Sequence, residues 1–247
     1  MKKVLGLAIS FCMLFGTVFA KGVYDGDIQL HLGLGLDSAK AVAEVPSDLE
    51  KSVKCNLESG STTVDFELST WHLFDVNDLI GVGFNLGFSG GIGKTSKLEQ
   101  KSEVLGESES SKMPSDWLSF ASHFNGLIGP AVGFTLNDVI KFDLAVGFAY
   151  GLDLYSYEYE NYDRYSRTTD PTSDAYMIFG AGFGCDVQAK FFPKSVVSPV
   201  LGYRLSSIFS SEVITSNKMI DRFSVYGLWN SVNYIANEIY LGVSFNW

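Results

Sequence analysis

The sequence predicts an all-β protein: an eight-stranded antiparallel up-and-down transmembrane β-barrel with short periplasmic turns and long extracellular loops. Three observations support this prediction. Eight stretches of the chain alternate bulky apolar residues with glycine or polar residues at a period of two, which is the repeat of a β-strand. The segments between these stretches are alternately long and short. The last stretch runs to the final residue, Trp247.

Each predicted strand has one bulky face and one small or polar face. In the first strand, Leu30, Leu32 and Leu34 share one face, and Gly33 and Gly35 share the other. Glycine weakens a water-exposed strand, but inside a narrow barrel it leaves room for larger side chains, so the bulky faces are predicted to meet lipid. In chain order, the predicted strands are Asp27–Asp37, Thr63–Phe74, Leu79–Ser89, Trp117–Leu136, Val139–Leu154, Ala175–Phe191, Val196–Phe209 and Glu238–Trp247.

The connections fall into two classes. Short turns are predicted at Asp75–Asp78, Asn137–Asp138 and Phe192–Ser195, because Asn, Asp, Pro and Ser favour turns. Long polar segments are predicted as loops at the opposite end of the barrel, and both termini then lie at the end with the short turns. The predicted loops are Ser38–Thr62, Gly90–Asp116, Tyr155–Asp174 and Ser210–Asn237.

Aromatic residues near both ends of the strands are typical of the two girdles of a membrane barrel. Pro130 and Pro199 lie inside predicted strands and are expected at a bulge or a strand end, because a closed barrel has no free edge. The predicted girdle at the short turns contains Trp71, Phe74, Phe134, Phe191 and Trp247, and the girdle at the long loops contains Phe120, Tyr150 and Tyr176.

The first residues predict export from the cytoplasm. Lys2 and Lys3 precede the apolar run Val4–Phe19, and small residues follow at the expected cleavage positions. We therefore expect a signal peptide at residues 1–20 and a barrel at residues 21–247, carried through the periplasm to the cell outer membrane.

Composition excludes some classes of function. The net charge of −10, without basic runs, argues against nucleic acid as a partner. Two cysteines remain after residue 20. Cys55 is predicted in a polar loop and Cys185 in a strand, so two free thiols are expected rather than a disulfide framework.

The terminal strand resembles the C-terminal signal that the outer-membrane insertion machinery recognises in bacterial β-barrels. That signal has a polar residue or Tyr, then Gly, then two aromatic residues at fixed spacing. Tyr240, Gly242, Phe245 and Trp247 occupy these four places. The resemblance implies that the insertion machinery and outer-membrane lipid are partners of the chain.

The whole mature chain resembles the small outer-membrane barrels of the OmpW, OmpX and OmpA type, and its short Asn-Asp turns are most similar to the OmpW-like treponemal barrels of uncharacterised function. The resemblance implies a narrow passage for small solutes, with hydrophobic molecules among the candidates. It equally allows a surface antigen or adhesin whose long loops bind host or envelope partners on a closed scaffold. Neither alternative is an enzyme, and neither needs a cofactor.

Motifs for other chemistry are weak. The segment Gly90–Thr95 resembles a phosphate-binding loop, but Phe88 stands where the first glycine of that motif is required. His31, His72 and His123 show no spacing typical of a metal site, so none is predicted. Ser122 and His123 are adjacent on a strand and point to opposite faces, which excludes a direct pair between them.

Charged residues on the inward faces predict a polar, mostly closed lumen. Lys141 and Asp143 are expected to meet Asp186 and Lys190 near the periplasmic end, because adjacent strands lie about 4.8 Å apart. Arg204 is expected to have Gly and Ser as its inward neighbours, and so to reach across the lumen. Its predicted partners are Asp65 and Glu67, and Arg204 with Glu67 forms a candidate gate. The alternative is that these pairs only fill the barrel.

The third predicted loop is rich in tyrosine. Tyr-rich loops on a rigid scaffold suit contact with another macromolecule, although the first tyrosines could instead continue the preceding strand. The candidate interaction residues are Tyr155, Tyr157, Tyr159, Tyr162 and Tyr165.

Overall fold

The computed structural model describes residues 24–45, 53–104, 107–112, 114–163, 168–210, 213–215 and 229–247. Eight long strands form a closed antiparallel ring, in which each strand pairs with its neighbours along the chain and the last strand pairs with the first. The short strands β4 and β9 pair with β3 and β7 outside this ring. The strands are β1 Tyr24–Val45, β2 Val53–Asp75, β3 Ile80–Val104, β4 Glu107–Lys112, β5 Leu118–Thr135, β6 Ile140–Asp163, β7 Thr168–Phe191, β8 Val197–Ser210, β9 Val213–Thr215 and β10 Trp229–Asn246.

Three tight turns lie at one end of the ring, which we call the turn end, and the opposite end is the loop end. The side chain of Asn77 accepts hydrogen bonds from the N–H groups of Leu79 and Ile80, both at 2.9 Å. Asn137 accepts equivalent bonds in the next turn. The N–H of Trp247 donates to the carbonyl of Gly26 at 3.0 Å, which places both ends of the described barrel at the turn end. The eight-stranded barrel and its short turns are as the sequence predicts.

The strands extend much further toward the loop end than predicted. The segments Ser38–Thr62, Gly90–Asp116, Tyr155–Asp174 and Ser210–Asn237 were expected to be loops, but most of their described length is strand. β6 and β7 pair without interruption up to Asp163 and Thr168. Cys55 correspondingly lies on β2, buried, and not in a loop; it and Cys185 are free thiols.

The two halves of the longest strands differ in polarity, as β1 shows. Toward the turn end, β1 points Leu32 and Leu34 outward, 54% and 62% exposed, while Gln29 and His31 are buried inside. Beyond Asp37 the outward face becomes polar and the inward face becomes Ala39, Ala41 and Ala43. We call the part with the apolar exterior the lower half and the part with the apolar interior the upper half. Among the residues described, none belongs to a helix long and apolar enough to cross a membrane.

Two predicted girdle residues do not face outward. Trp71 and Tyr176 are each 1% exposed and point into the barrel, so their assignment to the girdles is wrong. Phe134 and Trp247 do face outward near the turn end, and Phe120 and Tyr150 face outward higher up. Trp71 was misassigned because alternation puts residue 71 on the same face as the inward Glu67 and Ser69.

The prolines are accommodated in different ways. Pro199 lies near the start of β8, and the ladder to β7 begins only at Val200, which agrees with a strand end. Pro130 lies in mid-strand without a bulge, contrary to the expectation. It pairs with Phe84 on β3, and the ladder to β6 skips it. Beside Pro130, a Cβ built on Gly129 would lie 2.5 Å from the Cα of Gly147, so glycine at these positions allows β5 and β6 to approach closely.

Candidate functional site

The lumen of the lower half contains a charged network at the turn end. The ammonium group of Lys190 contacts Asp27, and Gln29 and Ser244 donate hydrogen bonds to the same carboxylate at 2.9 and 2.8 Å. Because the lysine charge is balanced and the carboxylate oxygens are hydrogen-bonded, this group of residues can remain buried without a large penalty.

A second pair completes the network near the turns. Lys141 contacts Asp25, and its ammonium nitrogen lies 3.6 Å from Asp143. The side chain of Gln188 donates to Asp143 at 3.0 Å. The sequence placed Lys141, Asp143 and Lys190 together in this region, but it missed the contributions of Asp25 and Asp27.

Arg204 occupies the middle of the lower lumen between two carboxylates. Its guanidinium contacts Glu67 on β2, across the barrel, and donates to Asp186 on β7 at 2.5 Å. Tyr240 donates to the second oxygen of Asp186 at 2.5 Å. His31 lies 3.1 Å from Glu67 and stacks on the Tyr240 ring at a centroid distance of 4.2 Å. The cluster therefore ties five strands together across the barrel.

The expected neighbours of Arg204 are wrong. The ladder between β7 and β8 starts at Lys190 and Val200 rather than at the first residue of β8, which brings Asp186 directly opposite Arg204. Glu238 lies opposite Arg204 on the other side. Asp186 therefore belongs to the arginine cluster and not to the lysine network. Asp65 lies higher, 3.5 Å from the Nε2 atom of His123, and makes no ion pair with Arg204 among the described contacts.

A third polar group lies at the top of the lower half. His123 contacts Asp37 through its Nδ1 atom at 2.7 Å, and Asn125 donates to the hydroxyl of Tyr234 at 3.0 Å. A cavity of about 10 Å³ separates this group from the arginine cluster. That volume accommodates about one water molecule. Within the described part of the chain, no group of three or more His, Cys, Asp and Glu side chains could hold a metal ion.

The lumen of the upper half is filled with apolar and aromatic side chains, which we call the upper core. Tyr155 and Tyr176 stack with their ring centroids 5.1 Å apart. Aliphatic side chains from the surrounding strands complete the packing. The upper core comprises Ala39, Ala41, Ala43, Cys55, Leu57, Leu98, Leu118, Leu127, Ala149, Tyr155, Tyr157, Tyr176, Ile178, Ile208, Val213, Val232, Tyr234 and Ala236.

The tyrosine set therefore does not form a single loop surface. Tyr155 and Tyr157 are 0% and 3% exposed and point into the upper core, so their assignment to a binding loop is wrong. The backbone of Tyr159 and Tyr162 belongs to β6. Tyr165 lies outside the described residues. The structure therefore agrees with the alternative in which these tyrosines continue the preceding strand, here β6.

The residues of the predicted insertion signal have separate positions in the barrel. Tyr240 is buried in the arginine cluster, whereas Phe245 and Trp247 face outward near the turn end. A Cβ on Gly242 would lie 2.2 Å from the ring of His31, so this position leaves no room for a larger residue. Tyr240 and Gly242 thus have structural roles in the lumen, apart from any recognition during insertion.

The overall burial of the lumen determines what the site can do. The predicted lumen-lining residues Glu67, Lys141, Asp186, Lys190 and Arg204 are all at most 4% exposed. The lining of a water-filled pore would be accessible to water, whereas these charges are paired with opposite charges inside the barrel. As built, the described lumen can hold the strands together, but it offers no open path for a solute.

Comparisons with known proteins complete the description. No family model matches the chain, and no curated protein sequence matches it. Among solved structures, the attachment invasion locus protein Ail of Yersinia pestis has 11% identity and a TM-score of 0.40, with 92% of this chain and 99% of that chain covered. The outer membrane protease OmpT of Escherichia coli has 8% identity and a TM-score of 0.45, with 91% and 96% covered. A FadL homologue of Pseudomonas aeruginosa has 10% identity and a TM-score of 0.23, with 92% and 91% covered. At TM-scores this low, these likenesses carry no argument about function.

Proposed function

We propose that the chain is an integral outer-membrane barrel with a closed lumen, which holds a folded upper half on the outer surface of the cell. In this proposal the lower half is embedded in lipid. The upper half and the loops beyond it contact macromolecules of a host or of the envelope. The protein is then a surface interaction protein rather than a passage.

Membrane insertion is supported by the exterior of the lower half. A transmembrane β-strand needs about 9–11 residues. The outward apolar runs Ile28–Leu36 on β1 and Phe142–Leu154 on β6 meet this need. The ring closes on itself, so its backbone groups are paired as a hydrocarbon environment requires. A water-soluble barrel with this continuous apolar exterior would aggregate.

The closed-lumen proposal rests on one observation: the lumen is filled at two heights, by ion pairs in the lower half and by apolar side chains in the upper half. Arg204, bonded to Glu67 and Asp186, blocks the lower lumen. The upper core blocks the lumen again without using any of these residues. A gate formed by Arg204 and Glu67 alone could therefore not open a path through the barrel.

Single-channel recording in planar bilayers tests this proposal. Wild-type barrel and Arg204→Ala are both expected to insert without conductance steps, because the upper core remains closed in each. Insertion is checked separately by heat-modifiable migration and protease resistance. Lys194→Gln, which changes an exposed turn-end lysine, is the matched control. Steps in the wild type would replace the proposal with a passage, and steps in Arg204→Ala alone would establish the arginine gate.

Orientation is tested by labelling intact cells with a membrane-impermeant maleimide. Ser96→Cys places a thiol on the exposed exterior of the upper half, and Val146→Cys places one on the apolar exterior of the lower half. We expect labelling above the parent background at position 96 and none at position 146, because lipid covers the latter. The reverse pattern would contradict the proposed embedding.

A further inference from the structure

The outward-facing cations gather on one side of the barrel. Lys40 on β1 and Lys94, Lys97 and Lys101 on β3 form a group that we call the basic patch. Among the residues whose side chains are described, the other outward cations are Lys112, on the adjacent β4, and Lys194, in a turn at the opposite end. The patch stands out because the chain as a whole is strongly acidic, with a net charge of −10.

The basic patch lies at the boundary between the halves. On β3, Lys94 follows Ile92, which is 66% exposed and belongs to the apolar exterior. On β1, Lys40 follows Leu36 and Ser38 on the outward face. A bulge between Gly60 and Ser61 shifts the register of β2 and β3 at this same height. Bulges change the direction of nearby side chains, and here the change occurs where the apolar exterior ends.

An open groove runs between these strands and is large enough for a small polar group. Its volume is about 540 Å³. Lys40, Lys97 and Glu58 line it together with small residues of β1, β2 and β3, and Asn233 and Ile235 of β10 complete the lining. The site is therefore accessible and bordered by cations immediately above the apolar exterior.

The charges of the basic patch are only partly neutralised. Lys97 lies 2.8 Å from Glu58 and 3.4 Å from Glu99. Lys101 lies 3.2 Å from Glu99, and Lys40 lies 3.7 Å from Glu58. The hydrogen bond that Lys97 donates, with its charge, holds the pKa of the Glu58 carboxyl below its usual value.

Lys94 has no carboxylate partner among the described contacts. Among the side chains that the structure describes here, four lysines thus face two ionised glutamates, and positive charge is in excess. The side chains of Lys40, Lys97 and Lys101 are 56%, 42% and 43% exposed, so their ammonium groups remain available to an anion.

We propose that the basic patch binds the anionic, phosphate-bearing headgroup of a lipid in the outer leaflet. This inference rests on the proposed membrane embedding, since only an embedded lower half brings headgroups to this height. A basic side chain near an anionic membrane surface strengthens binding roughly fivefold. The residues that line the groove include no exposed aromatic anchor of the kind that forms a protein–protein hot spot. A lipid also reaches it by diffusion within the membrane.

Native mass spectrometry of barrels released from nanodiscs tests the inference. The nanodiscs contain phosphatidylcholine with a minor fraction of phosphatidylglycerol, and the readout is phosphatidylglycerol retained per barrel. The triple variant K94Q/K97Q/K101Q is expected to weaken retention roughly a hundredfold, about fivefold per lysine. Lys194→Gln should match the wild type, because its lysine lies at the other end of the barrel.

Two further arms decide the identity of the ligand. The double variant E58Q/E99Q should increase retention, because it removes the competing carboxylates but keeps every lysine. Glycerol phosphate or inorganic phosphate in solution should not displace the lipid. Equal displacement by these anions would make the patch a general anion site and overturn the lipid assignment.

Failure of this inference is distinguishable from failure of the proposed function. Embedding is established first, by heat-modifiable migration of each variant in the nanodisc. An embedded wild-type barrel that retains no excess of phosphatidylglycerol, or a triple variant that retains as much as the wild type, overturns the inference alone. A wild-type barrel that never embeds overturns the proposed function.

Discussion

The lower and upper halves of the barrel consist of the same strands but have opposite interiors. In the lower half the exterior is apolar and the lumen holds ion pairs; in the upper half the exterior carries Lys40, Glu58 and Lys97 and the lumen is an apolar core. The backbone pairing continues through the boundary. The same backbone pairing therefore accommodates either polarity of the two faces, and the apolar face lies outward in one half and inward in the other.

The two interiors also respond differently to damage. The ion-paired charges of the lower lumen, such as Arg204, each depend on a particular partner, because an unpaired buried charge is far more costly than a lost contact. Side chains in the upper core contribute through contact area and can partly relax around a small loss. Substitutions in the two halves should therefore differ in size and in how far the damage spreads.

The largest effect is expected at the arginine cluster. Arg204→Met leaves Glu67 and Asp186 buried without their counter-charge, and should destabilise the barrel by about 3–5 kcal/mol. Urea unfolding of the lipid-embedded barrel, followed by heat-modifiable migration, measures this loss. The triple variant R204M/E67Q/D186N should recover much of it, since neither of the two carboxylates is then buried without its counter-charge. A triple variant as unstable as the single one would contradict this account of the lower lumen.

A smaller and more local effect is expected in the upper core. Leu57→Ala removes atoms from a side chain that is 3% exposed, and should cost about 2–4 kcal/mol. Hydrogen exchange should show faster opening of the upper strands, with the lower strands unchanged. Leu32→Ala is the matched control, because the same atoms are lost from a lipid-facing position without a cavity. Equal acceleration in both halves would show that the barrel opens as one unit.

The smallest effect is expected from pH at the outer surface of the upper half. Lys97 and Lys101 hold the carboxyl pKa values of Glu58 and Glu99 below their usual values through hydrogen bonds. A carboxyl whose pKa is lower in the folded state stabilises the fold at pH values above its unfolded pKa, which is about 4.3 for Glu. That stabilisation is lost as the pH falls through the folded-state pKa. The melting temperature should therefore fall slightly below about pH 4, and it should fall less in E58Q/E99Q. The effect is small because solvent screens exposed pairs.

The lower half could be predicted from the sequence because bulky outward residues alternate with glycine and polar residues. The upper half could not be predicted in this way. Its inward residues are often small, as at Ala39, Ala41 and Ala43, and its exterior is as polar as a loop. The alternation persists there, but with the opposite sign, and a search for bulky outward faces misses it.

The partners of Arg204 could be predicted only in part. Its contact with Glu67 across the lumen follows from the requirement that a buried charge be paired. Its contact with Asp186 depends on where the β7–β8 ladder begins after the turn, and strand lengths alone do not give that register. Tyr155 and Tyr157 were misplaced for a related reason, since a tyrosine-rich stretch has the same composition in a loop and in a core.

A barrel that enters the membrane from the periplasm must send its upper half through the bilayer first. Each ascending hairpin then carries the polar exterior of the upper half, including Lys40 and Lys97, past hydrocarbon before the lower half can settle there. The side chains of Leu57, Leu98 and Tyr155 come from different hairpins, so they can pack together only after all of these have crossed. In the proposed embedding, packing of the upper core is therefore the last step of insertion, and it opposes withdrawal of any single hairpin.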